Sequence, residues 1–168
     1  NAFIPVFWTH ELGTSPEQGS FALTVFFSIG IFMTYIGGLL GDKYGPIKII
    51  RLSLLIWLPS MFLLTQVPEF SVTIMMPLAY LILLMIGAAK AISYSPIIVL
   101  GQTYLAKSIG FASGITLGVS QTIGGIIAPV VGNLADTYSL PAAMMTLVPF
   151  LIVGLVASLL LKDPKKLQ

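Results

Sequence analysis

The sequence has no cysteine, one histidine (His10), and only eight Lys or Arg and six Asp or Glu in 168 residues. Without cysteine there are no disulfides, no thiolate zinc sites and no thiol chemistry, and the redox compartment stays open. One histidine rules out an H-E-x-x-H metal site, and no phosphate-binding G-x-x-x-x-G-K motif is present. The sequence therefore gives no reason to expect an enzyme, a metal or a cofactor. A net charge of +2, scattered along the chain, gives nucleic acid nothing to bind. No signal-peptide pattern opens the chain, which starts at Asn1 and reads as the cut or processed end of a longer protein.

What the sequence does have is apolar length. Hydrophobic residues make up 57%, charged residues 8%, and the mean hydropathy is +1.00. Soluble domains carry about 25% charged residues, so the expected solvent is a lipid bilayer. A helix rises 1.5 Å per residue and needs about 20 apolar residues to cross a core of about 30 Å. Gln18 to Gly41 runs 24 residues without a charge, Leu52 to Pro68 another 17, and Ser108 to Ala135 another 28. The expected spans are 16–41, 47–66 with a kink near Pro59, 72–105 with a kink at Pro96, 111–134 and 141–161. Residues 1–12 read as the end of a helix whose beginning is missing, with Trp8 at the membrane interface. Ser15, Pro16 and Gln18 predict a capping box at the start of the first full span. The fold class is all-α, a polytopic membrane helix bundle.

The stretch Gly37-Gly38-Leu39-Leu40-Gly41-Asp42-Lys43-Tyr44-Gly45-Pro46 joins the first two full spans. It resembles the signature loop of the major facilitator superfamily of secondary transporters, roughly G-x-L-A-D-R-x-G-R-K. Gly38, Leu40, Asp42 and Gly45 match, Lys43 keeps the charge, and Pro46-Ile47 depart from the basic pair, which Lys48 partly replaces. The resemblance implies a conformational gate at Gly38, Asp42, Lys43 and Gly45. Lys and Arg concentrate on the cytoplasmic side. Placing this loop inside puts seven of eight cations there (Lys43, Lys48, Arg51, Lys107, Lys162, Lys165 and Lys166) and leaves only Lys90. The expected location is a bacterial plasma (inner) membrane, with signature loop and C-terminus cytoplasmic.

The pattern G-x-L-x-D-x-Y recurs 94 residues on, as Gly132-Asn133-Leu134-Ala135-Asp136-Thr137-Tyr138, on the opposite face by the span count. That is the expectation for an inverted three-plus-three repeat, as in each half of this superfamily. Residues 1–168 then form a C-terminal transmembrane half-domain, with the first helix truncated and five complete spans. Its partner is a missing N-terminal half or a second copy of the chain. The stretches Val99–Leu105 and Gly110–Gly118, with Gly124-Gly125 and Ala128-Pro129, resemble the fosmidomycin-resistance group. Thr103 and Ala106 depart from its acidic residue and proline. That group is understood to export small drug-like molecules in exchange for protons, which implies a small-molecule substrate and a proton as partners.

Lys90 is the sharpest single feature. It lies mid-span, where a lysine costs roughly 2.5–3.5 kcal/mol to insert and faces a cavity or a partner. The expected partner is a substrate anion, a carboxylate elsewhere, or water. Tyr94 shares its helix face and Ser93 lies beside it. Polar stripes occur at Thr24, Ser28 and Tyr35, and at Ser113, Thr116 and Ser120 with Gln121. The resemblance implies that these helices line a central cavity, giving Lys90, Tyr94, Ser93, Tyr35, Ser28, Thr116, Ser120 and Gln121 as substrate-binding or coupling candidates. Interhelical hydrogen bonding explains the hydroxyls equally well. Gly110, Gly114 and Gly118 read as helix packing, and His10 with Glu11 as interface residues. The expected function is alternating-access transport of an anionic or acid-bearing molecule, with proton-coupled efflux as the implied mode. A non-transporting six-helix membrane module is the alternative, and it has no use for a mid-membrane lysine.

Overall fold

Ser15 closes the start of the first long helix as its sequence predicts. Its hydroxyl accepts from Gln18 N at 3.4 Å, and Gln18 Oε1 accepts from Ser15 N at 3.3 Å. In a computed structural model, residues 3–69 and 72–161 are described, and they form helices without a strand among them. The helices are α1 (Phe3–His10), α2 (Pro16–Tyr44), α3 (Pro46–Gln66), α4 (Val72–Ile92), α5 (Tyr94–Tyr104), α6 (Ile109–Thr137), α7 (Leu140–Met145) and α8 (Val148–Leu160). Short 3₁₀ turns fill Val67–Glu69 and Ala106–Ser108. Five stretches are long and apolar enough to cross a membrane: Pro16–Tyr44, Pro46–Gln66, Ile74–Tyr104, Ala106–Thr137 and Leu140–Leu160. This is the helical bundle expected of half a major facilitator fold. The basic tail from Lys162 to Lys166, assigned to the cytoplasm above, lies outside the described residues.

Several boundaries differ from the sequence expectation, each for a local reason. The signature stretch is helix, not loop: α2 continues through Asp42 and Lys43 to Tyr44. The whole turn is made at Gly45, whose φ of 96° suits glycine alone. Pro46 then opens α3 at a position where proline costs no hydrogen bond. Likewise α6 carries the second G-x-L-x-D copy to Thr137, beyond Leu134. Pro59 sits within α3 without interrupting it. The span holding Lys90 is broken between α4 and α5 at Ser93, three residues before Pro96. The last span is also broken, between Met145 and Val148, just before Pro149.

The core lies among α1, α2, α3, α4 and α7. Phe7, Trp8, Leu64, Val67 and Leu83 are fully buried there, joined by Leu140 and Met144. Trp8, expected at the membrane interface, is buried inside the bundle. It packs edge-on to Tyr80 at 5.5 Å, and its indole N–H has no hydrogen-bond partner among the described residues. Helix α2 lies tightest on α4 because glycines remove the side chains between them. A Cβ at Gly87 would come within 2.9 Å of Ile29 and 3.1 Å of Phe26, and one at Gly37 would overlap the Ile92 carbonyl. Helix α6 instead flanks the bundle, touching mainly α5 and α7. The expected packing role of Gly110, Gly114 and Gly118 is therefore not met by the described residues, since each faces open space.

Candidate functional site

Lys90 is placed by two features of α4. It lies 16 residues past Ile74 and 14 before Tyr104, the ends of its span, so it sits near the middle of that span. It also precedes the helix break, where the Ser93 hydroxyl donates to the Lys90 carbonyl at 2.9 Å. The break has a cause three residues on. Pro96 has no N–H, so it cannot donate to Ile92 O. That carbonyl comes to rest against Gly37 of α2, at the start of the signature stretch. Ser95 and Pro96 reach Gly38 and Gly41 in turn: added Cβ atoms there would meet Ser95 Oγ at 3.3 Å and Pro96 Cγ at 3.1 Å. The signature glycines thus seat the broken helix that carries Lys90.

Between α2 and α4 runs an open groove of about 270 Å³. Its polar groups are Lys90, Tyr94 and Thr34, and Phe26, Phe27 and Ile31 supply apolar walls. Lys90 Nζ lies 5.4 Å from the Phe26 ring centroid, within the range of a cation–π contact. The ring thereby orients the ammonium without neutralising it. The Thr34 hydroxyl donates to Gly30 O at 2.8 Å, so the cation and the Tyr94 phenol are the groups suited to hold an anion in this apolar groove.

The sequence candidates separate on this geometry. Lys90 and Tyr94 share the groove, whereas Ser93 is buried beside it at 6% exposure and stabilises the break. Ser28 and Tyr35 face outward from α2, and Tyr35 is 70% exposed. Thr116 points toward α5, where a Cβ on Gly101 would lie 2.7 Å from its Oγ1, and Ser113 accepts from Gln102 Nε2 at 2.9 Å. Ser120 and Gln121 are exposed on α6 and do not join Lys90. In the signature stretch Asp42 is exposed, and Lys43 Nζ lies 5.2 Å from the Tyr44 ring. Among the described residues no ion pair joins Asp42 to Lys43, and no cluster of His, Asp and Glu is able to hold a metal. Sequence reasoning missed Thr34, although it lies four residues from Gly30 on the same face and one turn from Gly37–Gly38.

Comparison with known proteins agrees with this architecture. The family model of the Major Facilitator Superfamily matches residues 1–168. The uncharacterized MFS-type transporter YfnC of Bacillus subtilis (strain 168) is 32% identical over 151 residues, 90% of this chain and 35% of its own. The fosmidomycin resistance protein of Escherichia coli (strain K12) is 28% identical over 145 residues, 83% of this chain and 33% of its own. The probable nitrate transporter NarT of Staphylococcus haemolyticus (strain JCSC1435) is 25% identical over 129 residues, 77% and 32% respectively. The chain thus spans about a third of the length of the curated relatives it matches. No solved structure matches it significantly. With five apolar spans and a whole-length family match, this chain is an integral membrane protein of the Major Facilitator Superfamily.

Proposed function

We propose that the chain is the C-terminal half of a secondary active transporter that moves a small anionic or acid-bearing molecule by alternating access. The observation that carries this reading is Lys90, a lysine at mid-span that lines a groove with Tyr94 and Thr34. An intramembrane ionisable residue marks a substrate or ion pathway, and in this class of fold such sites lie near the bilayer midplane. The relatives' names fit an anion: nitrate carries a negative charge, and fosmidomycin is a phosphonic acid. Export across a bacterial inner membrane, exchanged for protons, follows from the resemblance to the fosmidomycin-resistance group. The signature stretch acts as the gate. Gly38 and Gly41 hold α5 against α2, so movement there reaches Lys90 through the break at Ser93.

The test is flux through the full protein in proteoliposomes, with nitrate and fosmidomycin as probes. Lys90→Gln is expected to lower flux of the transported probe by roughly tenfold or more, about 1.4 kcal/mol, and Lys90→Arg to retain part of it. An inward-directed proton gradient should accelerate efflux. If Lys90→Gln leaves both flux and its pH dependence unchanged, the reading is wrong.

A further inference from the structure

A second cavity also reaches Lys90. It is lined from α1, α2, α3, α4 and α7, is partly open, has a volume of about 270 Å³, and shares only Phe26 and Lys90 with the groove. Trp57, Met61, Leu64 and Met144 form much of its wall, and every lining residue except Lys90 is hydrophobic. The two spaces have different chemistry. The groove offers a phenol near the cation, whereas this cavity offers only apolar contact. An apolar cavity of about 150 Å³ stays dry and takes up benzene. This one is larger and has a cation at one wall. Met61 and Met144 in its lining supply soft surface that adapts to differently shaped apolar groups.

Resting on the transport reading above, we infer that the preferred substrate is a hydrophobic organic acid. Its anionic group is held by Lys90, and its aryl or branched alkyl body, about six to ten carbons, occupies the cavity bounded by Phe26, Trp57, Met61 and Met144. Charge alone would select any small anion; the apolar cavity adds a requirement for a body of limited size. A neutral molecule of the same shape lacks the charge, and acetate lacks the body. Both bind more weakly.

Calorimetric titration of the purified full protein with benzoate, acetate and benzyl alcohol at pH 7.5 tests this. Benzoate is expected to bind roughly tenfold or more tightly than either of the others. Lys90→Gln should weaken benzoate and acetate together, while Met61→Trp, which fills the cavity, should bring the benzoate-to-acetate ratio toward one. Met144→Trp serves the same purpose if Met61→Trp does not fold, and the wild-type ratio decides the matter without either. Equal binding of benzoate and acetate, both reduced by Lys90→Gln, overturns the hydrophobic-acid inference and leaves the transport reading standing. Binding of neither anion together with flux indifferent to Lys90→Gln removes both.

Discussion

At Gly37 a single missing methyl holds two helices together. The Ile92 carbonyl, released from its helix by Pro96, occupies the place a Cβ would take. Gly37→Ala must therefore push α4 and α5 off α2, and overpacking of this kind costs about 1–3 kcal/mol. Gly154→Ala is the matched control, because its Cβ would meet Leu54 at 3.9 Å, an ordinary contact. It is expected to be neutral or to stabilise by up to about 1 kcal/mol through helix propensity. Thermal unfolding of the full protein distinguishes the two; equal midpoints for both variants would mean that the close approach at Gly37 is relaxed. The residue scale also explains why hydroxyls were poor guides to the site. Thr24, Thr34, Thr116 and Ser120 each donate to the carbonyl four residues back on their own helix. A hydroxyl satisfied in this way needs no cavity and no partner helix. The stripes that held Thr24, Thr116 and Ser120 therefore carried no information about which face meets Lys90. A lysine at mid-span is costly to insert wherever it points, so Lys90 was legible.

At the scale of elements, Arg51 ties the beginning of α3 to the end of α8. Its Nη2 donates to Ser158 O at 2.8 Å and its Nε to the same oxygen at 3.1 Å, with Leu159 O and Leu161 O at 3.4 and 3.5 Å. These are the carbonyls a helix leaves without donors at its C-terminus, where a cation also meets the negative end of the dipole. Hydrogen bonds to a charged group contribute about 1.5–3 kcal/mol, so Arg51→Gln should destabilise the full protein by that order. Arg51→Lys should recover only part, because an ammonium lacks the planar fork. Hydrogen–deuterium exchange across α8 is the discriminating readout: faster exchange in Arg51→Gln is expected, and unchanged exchange would assign the contact no role in holding the helix. Nothing in the sequence singled out Arg51 for this role, since its acceptors lie more than 100 residues away. The break between α7 and α8 was visible as Pro149, yet a uniformly apolar run conceals it, since hydropathy is blind to backbone donors. The signature stretch misled for the opposite reason. Four glycines and two charges read as a loop, but in a tight bundle glycine serves close helix approach as readily as it serves a turn.

Over the whole molecule, the spans were legible because uncharged runs of membrane length have few other uses. What no run of residues discloses is azimuth. Helices that are apolar all round do not declare which face meets which, and so the separation of α6 from Lys90 emerges only in three dimensions. The topology has an internal check. The Arg51 contact brings the start of α3 and the end of α8 to one end of the bundle. Counting spans from there puts Lys43, Lys48 and Lys107 at that end and Glu17 and Tyr138 at the other. Positive residues favour the cytoplasm, so the first end should face inward. This chain's lack of cysteine makes the test clean. In the full protein, freed of any other cysteine, Lys48→Cys and Lys107→Cys should resist a membrane-impermeant maleimide applied to intact cells and react once the membrane is opened. Glu17→Cys and Tyr138→Cys, both exposed, should react from outside. The reverse pattern would invert the orientation and with it the assignment of export. A mixed pattern, with Lys48 and Lys107 on different faces, would break the span count, because the two are separated by two crossings.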